Sequence, residues 1–180
     1  MRGIGRSRFA LALIVGGLLV AGIAPAAQAS CPECYQPDFR IRLLGGALKG
    51  DNVYNTTAAG QTVNALAKPG KTRQIVLSIQ NDGTLSAAFT VTFAAFNGNF
   101  EHFTASYVVG WLAPQDITFA IQSTGYTTPT LAPGQVFYFR VYVHVLGTAN
   151  LGLYTGATLN IVPTIYPYLS DRVAWKVTAN

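Results

Sequence analysis

The chain reads as an all-β protein, an antiparallel β-sandwich, on three observations. Runs in which apolar and polar residues alternate recur along it, the period of a strand with one buried face. They hold Ile75, Leu77 and Ile79, then Phe89, Val91, Phe93 and Ala95, then Phe137, Phe139, Val141, Val143 and Val145. Short turns rich in Gly, Pro, Asn and Asp separate the runs at the intervals of a sandwich. Outside the N-terminal leader, no segment combines sustained helical spacing with start and stop signals.

The leader comes first in the chain and is set apart from the fold. Arg2, Arg6 and Arg8 precede an uncharged apolar run from Phe9 to Ile23, and Pro25 is followed by Ala27-Gln28-Ala29, a small-x-small cleavage pattern. This is a secretory signal peptide, 1–29. Its apolar run is short of the roughly 20 residues a membrane helix needs and no second run follows, so removal after Ala29 leaves no expected membrane span. Cys31 beside the cut also raises lipidation, although Gln28, Ala29 and Ser30 lack the Leu of a lipobox.

Removing the leader changes the charge reading. Three of the twelve basic residues go with it and all seven acids stay, leaving nine against seven, a formal +2. The basic balance of the whole chain thus belongs mostly to targeting, and nucleic acid is not an expected partner. About 150 residues remain, enough for one domain with a real core. They divide into a tail, 30–38, and a sandwich, 39–180. Few charges remain among many Thr, Asn, Gln, Ser and aromatic side chains, a surface that is easily desolvated.

The first strand is carried by Phe39, Ile41 and Leu43, alternating with Arg40 and Arg42. Gly45, Gly46 and Gly50 end it, and short extended pieces follow around Val53-Tyr54 and Thr62 to Leu66. Lys68-Pro69-Gly70-Lys71 is a turn. The two runs of Arg73 to Phe96 then form the expected organising hairpin, folded at Asn81-Asp82-Gly83-Thr84, where Asp-Gly supplies a positive φ. Phe103 to Trp111 makes another strand, and Ile117, Phe119 and Ile121 continue the alternation. Leu131-Ala132-Pro133-Gly134 turns the chain into its most regular strand, Val136 to Leu146. There Phe137, Phe139, Val141, Val143 and Val145 point one way, while Tyr138, Arg140, Tyr142 and His144 point the other. Ala157, Leu159 and Ile161 carry the next strand, Tyr166-Pro167-Tyr168 sits in a loop, and Val173, Trp175 and Val177 close the fold.

The series Val53-Tyr54-Asn55, Ile79-Gln80-Asn81-Asp82-Gly83, Phe89-Thr90-Val91, Leu131-Ala132-Pro133-Gly134 and Asp171-Arg172-Val173 resembles the immunoglobulin-like modules of bacterial exported proteins. CARDB-type, cell-adhesion-related domains are among these. The resemblance implies an immunoglobulin-like sandwich over roughly Asp38 to Thr178, and an extracellular module used in adhesion, surface architecture or carbohydrate contact.

Cys31 and Cys34 are the chain's two cysteines, in a protein that meets an oxidising compartment. They read as a local disulfide that stiffens the tail, or as a cross-link to a neighbouring subunit. A redox role needs a helix N-terminus at the first cysteine, which nothing predicts. Zinc would require His102 and His144 to converge on the pair, so no metal and no cofactor is expected.

The outward stripe Tyr138, Arg140, Tyr142 and His144 is either a solvated sheet face or a platform for a partner, since aromatic and Arg side chains are what interface hot spots favour. Trp111, Tyr166 and Tyr168 extend it into a sugar-stacking surface if they are exposed. Trp175 alternates with core residues and reads as core.

Catalysis has little support. The seven mature acids, Glu33, Asp38, Asp51, Asp82, Glu101, Asp116 and Asp171, form no pair of the kind glycoside hydrolysis needs, and no Gly-x-Ser-x-Gly elbow occurs. A non-enzymatic, exported surface protein is expected. It would self-associate or bind other cell-envelope proteins through a sheet face, an unsatisfied edge strand or the tail. A monomeric polysaccharide-binding module is the alternative.

Overall fold

Ten strands and one short helix are present in the structure, a computed structural model that describes residues 34–180. The signal peptide, its cleavage site and Cys31 lie outside those residues. In chain order the elements are β1 (Pro37–Leu43), β2 (Thr62–Ala67), β3 (Thr72–Asn81), β4 (Phe89–Gly98), β5 (Phe103–Val109), β6 (Gln115–Asp116), α1 (Thr118–Gln122), β7 (Tyr126–Thr127), β8 (Val136–Val145), β9 (Tyr154–Pro163) and β10 (Asp171–Ala179).

They form two five-stranded sheets. The first, sheet A, has the order β1-β3-β8-β5-β6, and the second, sheet B, the order β2-β10-β9-β4-β7. Neighbours are antiparallel except β2 and β10, which run parallel. The alternating residues of both sheets meet in one core, with Ile75, Leu77, Ile79, Phe139, Val141 and Val143 from sheet A against Phe89, Val91, Leu159, Ile161, Val173 and Val177 from sheet B. Trp175 is core as expected, and its indole N–H donates across the sandwich to the hydroxyl of Tyr107 at 3.2 Å. The described residues thus form a compact unit with its own core, which is what independent folding requires. This is an immunoglobulin-like β-sandwich.

The expected hairpin does not form. β3 pairs with β1 and β8 in sheet A, whereas β4 pairs with β9 and β7 in sheet B, so residues 82–88 cross from one sheet to the other as an arch. Both runs bury one face, and that is compatible with either arrangement. The side chain of Asn81 decides between them. It is fully buried, its amide donates to the carbonyls of Leu85 and Leu131, both at 2.8 Å, and its oxygen accepts the Gly83 N–H at 3.0 Å. Gly83 is not in the left-handed region. A Cβ there would lie 2.1 Å from the Cys34 carbonyl oxygen, so glycine is required because the tail packs directly on the arch.

Two further expectations change. In β4 a bulge between Phe93 and Ala95 inserts a residue, so Phe96 rather than Ala95 stands opposite the inward Ala157. The run Ile117, Phe119, Ile121 is a helical turn rather than a strand. Ile117 and Ile121, four apart, are buried on one side, and Phe119 is turned out to solvent.

The edges are managed rather than left open. On β1 the Phe39 N–H donates to Asp171 Oδ2 at 2.7 Å, and Ile41 exchanges two backbone hydrogen bonds with Lys49. On β2 the outward carbonyls of Thr62 and Leu66 accept the side chains of Lys49 and Arg73. β6 and β7 are two residues long. Short strands and cations on outward carbonyls blunt an edge against pairing, which corrects the expectation of unsatisfied edge strands.

Candidate functional site

The stripe predicted along Val136 to Leu146 lies on β8, the middle strand of sheet A, with its polar side chains on the outer face. The register places each beside a named neighbour: Ser78 next to Tyr138, Val76 and Val108 flanking Arg140, Gln74 and Ser106 flanking Tyr142, and Thr72 and Thr104 flanking His144. Short side chains, Ser78, Ser106, Thr72 and Thr104, flank Tyr138, Tyr142 and His144, while Arg140 lies between two valines. His144 Nδ1 lies 3.1 Å from the Thr72 hydroxyl.

Arg140 organises the centre of the face. Its guanidinium carbon lies 4.3 Å from the ring centroid of Trp111 and 5.8 Å from that of Tyr142, and its Nη2 donates to the Gly110 carbonyl. A loop residue is thereby joined to the strand in one cation–π array. Trp111 remains 67% exposed and Tyr138 48%.

Below this array a cleft of about 700 Å³ opens between sheet A and β2. Tyr142, Arg73, Gln74 and Asn64 line it together with the apolar Leu44 and Leu66. Tyr142 therefore belongs to both features. The cleft was not read from the sequence, because it forms between β3 and β2 of opposite sheets and no local pattern marks it.

No family model and no curated protein matches the chain. Among solved structures it is similar to a family 123 glycoside hydrolase from Clostridium perfringens, at 8% identity and a TM-score of 0.43, over 66% of this chain and 22% of that one. It is similar to the ASH/PapD-like domain 7 of human CEP192, at 12% identity and 0.41, over 94% and 98%. A third is the N-terminal domain of PorA, at 12% identity and 0.44, over 79% and 97%. These identities and scores carry nothing about function.

The other predicted residues fall elsewhere on the sandwich. Tyr166 and Tyr168 lie in the β9–β10 loop, where Tyr166 stacks on Tyr35 with centroids 5.4 Å apart. They do not join the stripe. Cys34 is buried beside the arch, its N–H donating to the Thr84 hydroxyl at 3.2 Å. His102 and His144 sit at the far end of β5 and β8, so Cys34 and the histidines are separated by the length of the sandwich.

The acids are structural partners rather than a paired site. Asp171 is fully buried and accepts four N–H donors, from Phe39 (2.7 Å), Asn55 (3.1 Å), Gln61 (2.8 Å) and Arg172 (2.8 Å). Burial pushes its carboxyl above the ordinary value, and the donors pull it back. Asp38 is buried beside it, and burial pushes its pKa up to about 7; the charges of Asp82 and Asp171 add to the rise, while the Asn52 N–H and Arg40 oppose it. Arg40 reaches past Asp38 to Asp51, at 2.8 Å. Glu101 pairs with its neighbour His102 at 3.5 Å in a 3₁₀ turn.

Proposed function

We propose that this is an exported, non-enzymatic surface protein that docks through the outer face of sheet A on a second copy of itself or on another protein of the cell envelope. One observation carries the reading: the Trp111–Arg140–Tyr142 array at the centre of an exposed sheet face. Trp, Tyr and Arg are the residues on which binding energy concentrates. Here the arginine is already stacked and hydrogen-bonded, so less side-chain freedom is lost on contact. With the strand edges blunted, the face is the better route to a partner than strand addition. The resemblance to CARDB-type modules points the same way.

Light scattering of residues 30–180 over a concentration series, with and without reductant, tests this. Concentration-dependent assembly that is lost in Tyr138→Ser/Tyr142→Ser supports it. Collapse on reduction alone moves the contact to Cys31 and Cys34, and a strict monomer sinks self-association. A second reading, a polysaccharide-binding module, is favoured by the cleft, which offers Tyr142 for stacking and Asn64, Gln74 and Arg73 for hydroxyl groups. Glycan binding that the same double variant abolishes, with assembly intact, selects that reading.

A further inference from the structure

The two ends of the sandwich differ in chemistry. The register brings the start of β1, the end of β3, the start of β8 and the end of β5 together in sheet A, with the end of β9 and the starts of β4 and β10 in sheet B. At this end the loops are 50–61, 82–88, 110–114, 128–135 and 164–170, and the last three contain no charged residue. Instead they project large apolar and aromatic side chains. Trp111, Leu112, Ile165, Tyr166 and Tyr168 are exposed, Leu112 fully and Tyr168 to 91%. The charged groups near them are tied back into the fold. Asp82 accepts the Tyr54 hydroxyl at 2.6 Å, Asp51 accepts from Arg40 at 2.8 Å, the exposed Asp116 beside Val108 accepts the Thr118 N–H at 2.8 Å, Arg140 donates to Gly110, and Arg172 donates to Asn160 and to the Thr56 carbonyl. The opposite end carries Lys68, Lys71, Glu101 and His102 in its loops.

From this polarity we infer that the end carrying these aromatic and aliphatic loops is a lipid-contact tip, which seats end-on in the interfacial layer of a bilayer. Trp and Tyr beside Ile and Leu is the composition of that layer, where rings sit at headgroup depth and aliphatic side chains reach below them. The chain also enters the domain at this end, where Tyr35 stacks on Tyr166. The tip shares Trp111 with the partner face on sheet A, whereas Leu112 and Ile165 belong to the tip alone.

Flotation of residues 30–180 with phosphatidylcholine vesicles, and with vesicles containing phosphatidylglycerol, tests it. Trp emission is read alongside, Trp175 in the core serving as a constant background. Expected are binding to both vesicle types, a blue shift, and quenching by lipids brominated near the headgroup. Leu112→Asp/Ile165→Asp should weaken binding by about a hundredfold, roughly tenfold per side chain, with an unchanged thermal transition. Absence of binding at millimolar lipid overturns the inference, as does equal binding by the double variant. Binding confined to anionic vesicles and abolished by Lys68→Glu/Lys71→Glu places the contact at the other end and also overturns it. So does loss of protein assembly, rather than of lipid binding, in Leu112→Asp/Ile165→Asp.

Discussion

Asp171 holds the sandwich at its most remote contact in sequence. Its carboxylate joins the edge of β1, the 50s loop and β10, and the Phe39 N–H it accepts is 132 residues away. Asp171→Ala strips buried donors of their acceptor, and the unfolding free energy should fall by about 3–5 kcal/mol in denaturant titration. Asp38, like Asp171, has its carboxyl raised by burial, and the rise is large. With its folded pKa raised to about 7, the native state holds a proton that the unfolded chain releases near pH 4. Its contribution is therefore fully present below about pH 4 and is lost as pH rises toward 7. Asp38→Asn, which removes the titration, should flatten this slope and leave the variant more stable than wild type at pH 8, by on the order of 3 kcal/mol. Chemical unfolding at pH 4, 6 and 8 checks both the sign and the window. That the acids form no catalytic pair was legible in the sequence. The burial of Asp171 was not, because it is set by a strand more than a hundred residues away.

Among the elements, β8 was legible along its length and β10 through Val173, Trp175 and Val177, since their faces alternate; β9 was legible through Ala157, Leu159 and Ile161, although its start buries Thr155, Gly156 and Ala157 in succession. The partner of β3 was not. Alternation fixes which side chains face the core but not which sheet supplies the neighbour, and Asn81-Asp82-Gly83 has the composition of a hairpin turn while forming an arch. The bulge in β4 and the turn of helix at Ile117 to Ile121 escaped for a related reason: a single inserted residue, or five residues of helix, leave too short a trace in a pattern. Gly83→Ala is the test of the arch. Its new Cβ meets backbone of the tail rather than a movable side chain, so residues 34–36 should lift away. The Asp82 and Thr84 amides, bonded at 2.8 and 3.1 Å to Gln36 and Cys34, should lose hydrogen-exchange protection, with stability lower by about 1–3 kcal/mol. The stripe of the candidate site was visible as the polar half of β8. Its link to Trp111 was not, because that depends on how the loop after β5 folds back over Arg140.

At the scale of the molecule, one core is shared by both sheets and pinned across them by Trp175 and Tyr107. Residues 30–180 should accordingly unfold in a single transition, with far-ultraviolet and near-ultraviolet circular dichroism coincident; separate midpoints would mean the sheets melt independently. The sandwich class was legible because two-faced strands leave few other ways to hide so many apolar residues, whereas the end-to-end polarity emerges only once the loops are sorted by the register. The parallel pairing of β2 with β10 has a kinetic consequence. In synthesis β1 and β2 emerge first, yet β2 has its sheet neighbour, and β1 its clasp at Asp171, only when the final strand arrives. Such non-local closure is slow. Until then the sandwich stays open, and the pairing that locks the finished domain is the last that the growing chain can supply.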